Sequence, residues 1–121
     1  MRGEAEEIVG RIIGKDPRYR PEAYSFVMTV VDEVQGSMKV AEHITGGEVL
    51  EGVRVSAARR FGPMAKEVLN AWGVKSTEDI GNIVFNLVDA GLLAKREEDT
   101  IDEFIGGYDF RKVFEEDYFG G

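Results

Sequence analysis

The 121-residue chain has no cysteine, one histidine (His43), three prolines, and only 15 lysines and arginines against 23 aspartates and glutamates. Without cysteine there is no disulfide, no thiolate metal site and no thiol nucleophile. A single histidine excludes zinc sites built on two, such as a His-Glu-x-x-His helix. The formal charge of −8 opposes nucleic acid or an anionic membrane surface as a partner held by net attraction. No window nears the roughly 18 apolar residues of a membrane span. The N-terminal MRGEAEEIVGRIIGKD lacks the long apolar core and small-residue cleavage site of a secretory signal, so a cytoplasmic protein is the expectation. The charge is unevenly placed. Residues 97–121 hold nine acids and two bases, and residues 1–96 fourteen acids and thirteen bases, so the body is nearly neutral and the acidity sits at the C-terminal end.

What is present is a chain of ordinary hydrophobic content, 43%, of single-domain length, written mostly in helical periods. Ala5, Ile8, Val9, Ile12 and Ile13 recur at helical spacing, with Gly14 as a stop. Asp16-Pro17-Arg18-Tyr19-Arg20-Pro21 cannot continue a regular helix and reads as a structured turn, with Pro21 at the first position of a second helix, to about Gln35. Tyr24, Val27, Met28, Val31 and Val34 form one stripe of that helix, and Phe26 and Val30 add a second apolar side, the mark of a central helix. Its β-branched content keeps a strand open as the alternative. Residues 36–44 read as a loop with a short strand. Thr45-Gly46-Gly47-Glu48 matches a capping box at the start of a helix from Gly46 to about Phe61. Further helices are expected over Pro63–Trp72 and Thr77–Ala90, the second with Ser76-x-x-Asp79 at its start and Gly91 at its stop. Leu92–Arg96 and Thr100–Phe110 would supply a β-hairpin.

Helix, helix, tight turn, helix, hairpin is the order of a winged helix-turn-helix. The predicted fold is therefore α+β and mainly helical. Two N-terminal helices and a connector (1–44) pack on a winged helix-turn-helix-like core with a C-terminal hairpin (45–110). An acidic tail (111–121) follows, whose Phe114, Tyr118 and Phe119 need an apolar surface, their own or a second copy's. In such a core the helix over 77–90 would show a solvent face of Lys75, Asp79, Asn82, Asn86 and Asp89. Within the helix that face has no lysine or arginine to meet phosphate, which suits a protein partner better than a DNA groove.

Other candidates have less behind them. Gly10-x-x-x-Gly14-Lys15-Asp16 is one residue short of a phosphate loop and follows a helix rather than a strand. Glu97, Glu98, Asp99, Asp102 and Glu103 could hold a hard cation, but the spacing of a calcium loop is absent. His43 could act as a base, with no identifiable partner. The basic spots are Arg18-Tyr19-Arg20 and Arg59-Arg60, the latter at a helix C-terminus, where cations complement the dipole.

The stretches DPRYRPEAYSFV (16–27), HITGGEVLEGVR (43–54), FGPMAKEVLNAWGVKSTEDIGNIVFNLVDAGLLAKREEDTIDEF (61–104) and YDF (108–110) resemble an uncharacterised bacterial protein family of unknown function, chiefly from planctomycete–verrucomicrobial lineages. The resemblance implies a stand-alone cytoplasmic protein and carries over no activity, cofactor or catalytic residue. The expected function is a small non-enzymatic protein-binding or adaptor domain, with no cofactor or metal and with homodimerisation open. The alternatives are a nucleic-acid-binding winged-helix protein and, third, a small enzyme using carboxylates and His43.

Overall fold

The computed structural model describes residues 3–37, 45–93 and 101–116. Five helices carry the architecture: α1 (Glu4–Lys15), α2 (Pro21–Ser37), α3 (Gly46–Phe61), α4 (Ala65–Ala71) and α5 (Thr77–Asp89). A 3-10 turn over Gly62–Met64 joins α3 to α4, a second covers Ile101–Glu103, and a wide helical turn covers Lys112–Glu116.

The central element is α2, packed against α1, α3 and α5. Ala23, Tyr24, Phe26, Val27, Val30 and Val31 are all buried. This is why a segment rich in Val and Thr is a helix here. The few tenths of a kcal/mol per residue that β-branched side chains cost a helix are small beside the roughly 1.5–3 kcal/mol each large apolar side chain gains on burial. On α3, Gly52 faces Val30 and Val34, whose methyls would lie 2.9 and 2.7 Å from an added Cβ, so the two helices meet closely at that point.

The helix ends follow local chemistry. The Thr45 hydroxyl accepts from the Glu48 N–H at 3.1 Å, and the Glu48 carboxylate accepts from the Thr45 N–H at 3.0 Å, the reciprocal box expected from Thr-x-x-Glu. Both α4 and α5 close with glycine in the left-handed region. At Gly73 (φ 92°) the Val74 N–H reaches back to the Leu69 carbonyl at 2.9 Å. At Gly91 (φ 82°) the Leu92 N–H reaches the Leu87 carbonyl at 2.9 Å. These are paired Schellman closures. Gly14, expected as a stop, lies inside α1, which runs one residue further to Lys15.

The predicted β-hairpin is not formed, and the α+β assignment is corrected to an all-helical one: the described residues contain no strand. Leu92 and Leu93 are in the turn that closes α5, and the stretch expected to return as a strand is wound instead into turns. Phe104, Phe110 and Phe114 are buried, and they anchor a backbone of turns and short helical segments rather than a strand. Phe114 packs edge on face with both Tyr108 and Phe110, at 6.4 and 5.3 Å, and Tyr108 and Phe110 are tilted at 33°. The backbone of this segment finds partners in the helices. The buried Thr77 hydroxyl donates to the Phe104 carbonyl and accepts from the Gly107 N–H, and the Tyr108 hydroxyl donates to the Leu50 carbonyl at 2.7 Å. With no wing, the winged-helix-like core falls with the hairpin, although its three helices form where expected. The supposed tail is in part core: Phe114 is buried and Glu115 pairs with Lys66 of α4 at 3.3 Å. Tyr118 and Phe119 lie outside the described residues, as do residues 38–44, with His43, and 94–100, with Glu97, Glu98 and Asp99.

Candidate functional site

The five residues expected to face a partner divide sharply. Lys75 and Asp89 are exposed, whereas Asp79, Asn82 and Asn86 are half-buried under the turn that joins α1 to α2. Tyr19, from that turn, is buried and donates its hydroxyl proton to Asp79 Oδ1 at 2.5 Å, while Asn82 Nδ2 donates to the same hydroxyl at 3.0 Å. Asn86 Nδ2 donates to Asp16 Oδ2 at 2.9 Å and to the Tyr24 hydroxyl at 3.1 Å. Asp16 in turn takes a two-pronged bond from the Arg18 guanidinium, at 2.8 and 2.7 Å. The second carboxylate oxygen of Asp79 accepts from the Lys75 N–H at 2.9 Å, which fixes the turn before α5, while the expected Ser76 cap makes no side-chain bond to the helix N–H groups. The polar row on α5 is thus a seam that locks the Pro-rich turn onto the helix.

The seam's electrostatics follow from these bonds. The Arg18 guanidinium, and then the Asn86 amide, hold the Asp16 carboxyl far below the usual carboxylate range against the opposing effect of its partial burial. Burial, and next the neighbouring Asp79 carboxylate, push the Tyr19 phenol well up; burial does the same to Tyr24. None of the three changes charge near neutral pH. Asp16→Asn is expected to cost about 1 kcal/mol at pH 7, because the Arg18 end of the ion pair is more than half exposed to solvent. A carboxyl depressed on folding contributes stability above its unfolded value, about 3.9, and loses it as pH falls below that. The gap between wild type and Asp16→Asn should therefore stay flat from about pH 7 to 5 and close between about pH 4 and 2. Urea midpoints across that range check this, and a gap that widens towards low pH would refute it.

The remaining sequence candidates settle into the fold. Gly10, Gly14 and Lys15 are helical, so there is no phosphate loop. Glu103 Oε1 accepts from the Gly46 N–H at 3.3 Å, at the start of α3, and Asp102 is exposed. Among the described residues no group of three or more His, Asp or Glu side chains is placed to hold a metal ion. Arg59 and Arg60 both reach Glu33 of α2, at 2.9 and 3.2 Å.

Two concave regions flank α1. Between α1 and α5 lies a cleft of ≈ 410 Å³ where Asn86 and Asp89 come beside Arg11 and Lys15. The larger is a groove of ≈ 770 Å³ on the other side. Its floor is the α2 row Glu22, Ser25, Phe26 and Thr29; α1 forms one wall with Ala5, Val9, Gly10 and Ile13, and Phe61, Arg60 and Trp72 form the other. Phe26, Phe61 and Trp72 are a mutually packed triangle with centroids 5.6–5.7 Å apart. The Arg60 guanidinium sits over the Phe26 ring at 5.8 Å. Sequence reading did not find this groove. Its only trace there is the second apolar side of α2, at Phe26, which is buried as that pattern implies; the facing wall comes from residues about 35 and 45 positions away, which periodicity cannot join. No helix among the described residues is long and apolar enough to cross a membrane. Comparison of the chain with protein-family models, curated proteins and solved structures gives no match.

Proposed function

We propose that the protein is a protein-binding domain whose working surface is the α1–α2 groove, and that the groove receives the apolar face of a partner helix. The observation that carries this is the groove itself. It is a trough of ≈ 770 Å³ lined by the half-buried Ile13, Met28, Phe61 and Trp72 over the buried Val9 and Phe26; the exposed large apolar side chains Val55, Met64 and Ile105 lie outside it. Aromatic anchors beside an open apolar trough are what helix-in-groove recognition uses. The polar row on α5, engaged with the Asp16–Arg20 turn, supports the reading from the other side, because it leaves that face few groups to offer.

An occupant helix rather than an extended strand is favoured because the walls are helices, whose interior N–H and C=O groups are already paired. A strand laid there would find no ladder partner, whereas a helix brings its own backbone bonds. The groove wall from Ala5 to Ile13 is about 12 Å long, room for about two helical turns.

Trp72 is the only tryptophan and stands half-buried in the wall, so its emission reports occupancy. Titration with an amphipathic helical peptide is expected to shift that emission and to slow amide exchange in residues 5–13 and 22–29. If neither changes at peptide concentrations up to about 1 mM, the weak end of specific binding, the groove is not a binding surface.

A further inference from the structure

On the side of α1 away from the groove, and independently of it, we infer that the α1–α5 cleft is a binding site for a small zwitterion, an amino acid with an apolar side chain. Ile8, Arg11, Ile12 and Lys15 recur at helical spacing, so one face of α1 lines the cleft. Ile12 is buried and Ile8 half-buried, while Arg11 and Lys15 are exposed. Asp89 stands on the opposite wall, as the last residue of α5. The charges that the fold leaves unused decide the ligand. Asp16 and Asn86 also line the cleft, but the Asp16 carboxylate is taken by Arg18 and Asn86, and the Asn86 amide by Asp16 and Tyr24. Among the described residues the side chains of Arg11, Lys15 and Asp89 have no ion-pair or hydrogen-bond partner. Arg18, Arg20, Arg54, Arg59 and Arg60, by contrast, each pair with a carboxylate.

Each wall carries a local electrostatic conflict. Arg11 and Lys15 are like charges one turn apart, an unfavourable pairing on a helix. Asp89 puts a negative charge at a helix C-terminus, against the macrodipole, and α5 has no basic residue in its last turn to offset it. A carboxylate held by Arg11 and Lys15 relieves the first conflict, and an ammonium group at Asp89 relieves the second. A simple anion would meet Asp89 in repulsion, and a simple cation would meet Arg11 and Lys15; a ligand carrying both charges satisfies both walls. Ile8 and Ile12 supply apolar surface for its side chain. The volume of ≈ 410 Å³ lies within the range of small-molecule clefts, about 300–1,000 Å³.

The test is titration of the full chain with L-leucine, isocaproate (leucine without its ammonium group) and isoamylamine (leucine without its carboxylate), followed through the amide NMR resonances. L-Leucine is expected to shift the resonances of residues 8–16 and 86–90 and to saturate with a Kd of about 1 mM or tighter. Each single-charge analogue should bind at least about fivefold more weakly, the equivalent of one solvent-screened charge contact of about 1 kcal/mol. Asp89→Asn should weaken leucine by about the same factor without weakening isocaproate. Arg11→Gln should weaken leucine and isocaproate alike without weakening isoamylamine. Both positions are exposed, so the unfolding midpoints should hardly move. No saturable shift with L-leucine up to about 20 mM overturns the site. An analogue that binds as tightly as L-leucine also overturns it, because one of the two walls then contributes nothing. Undiminished leucine binding by either variant has the same force. Shifts confined to residues 22–29 and Trp72 would place the amino acid in the groove, and refute the inference.

Discussion

Gly73→Ala is expected to destabilise the protein by about 3–5 kcal/mol, a large part of the 5–15 kcal/mol that holds a typical domain together. Two effects add. At φ 92° an L side chain is strained whatever the space around it. In addition, a Cβ at this position would lie 2.2 Å from the Arg18 carbonyl oxygen. That neighbour is backbone and cannot swing aside, so either the α4–α5 turn or the turn joining α1 to α2 must move. The movement would break the bond from the Arg20 N–H to the Trp72 carbonyl, at 3.0 Å, and draw Tyr19 away from Asp79. Gly91→Ala is the matched control. It has nearly the same backbone, φ 82°, but nothing within 4 Å of its Cβ, so it should cost only about 1 kcal/mol. Urea unfolding of the two variants separates strain from collision. Similar losses in both would show that the contact with Arg18 is not what makes Gly73 necessary.

Asp79→Ala should cost about 2–3 kcal/mol, although Asp79 lies in a row that reads from sequence as a solvated face. Its carboxylate is the acceptor for the Tyr19 hydroxyl, which is 2% exposed as a residue, and for the Lys75 N–H. Removing it leaves a buried donor with only the Asn82 amide, itself a donor to that oxygen, so the phenolic proton has no acceptor among these groups. An orphaned buried group costs about 1–3 kcal/mol. Asp89→Ala, exposed on the same helix with no such bonds, should stay within about 0.5 kcal/mol. A cycle of Asp79→Ala with Tyr19→Phe should show a coupling of about 1 kcal/mol or more. Additive losses would mean that the seam does not act as a unit.

Helix positions were largely readable along the chain because their causes are local. Thr45 and Glu48 are three residues apart and cap α3 as that spacing demands. Pro21 opens α2, and Gly73 and Gly91 close α4 and α5, because each of these residues restricts or frees the backbone by itself. The stripe Ile80, Ile83 and Leu87 is buried as its period requires. The errors fall where a residue's surroundings come from far along the chain. Residues 101–110 have the aromatic and β-branched content of a strand, but a strand needs a neighbour to pair with, and its expected partner, Leu92–Leu93, is held in the closure of α5. Thr77, Leu50 and Gly46 receive the backbone and side chains of 103–108 instead. Likewise Asn86 reads as solvent-facing until Asp16, 70 positions earlier, is brought to it.

The amino-acid sequence by itself determined where the helices lie, the Thr45–Glu48 cap, the Gly73 and Gly91 stops, the buried stripes, and the exclusion of disulfide and cysteine-metal chemistry, because each rests on residue identity or on spacings within a few turns. The tertiary structure decided the rest. It turned the polar row of α5 into an internal lock, replaced the hairpin with aromatic anchors, and opened an apolar groove between α1 and the Phe61–Trp72 wall. In each case the deciding partner lies dozens of residues away, and only packing, which buries apolar surface and pairs every polar group it encloses, could choose it.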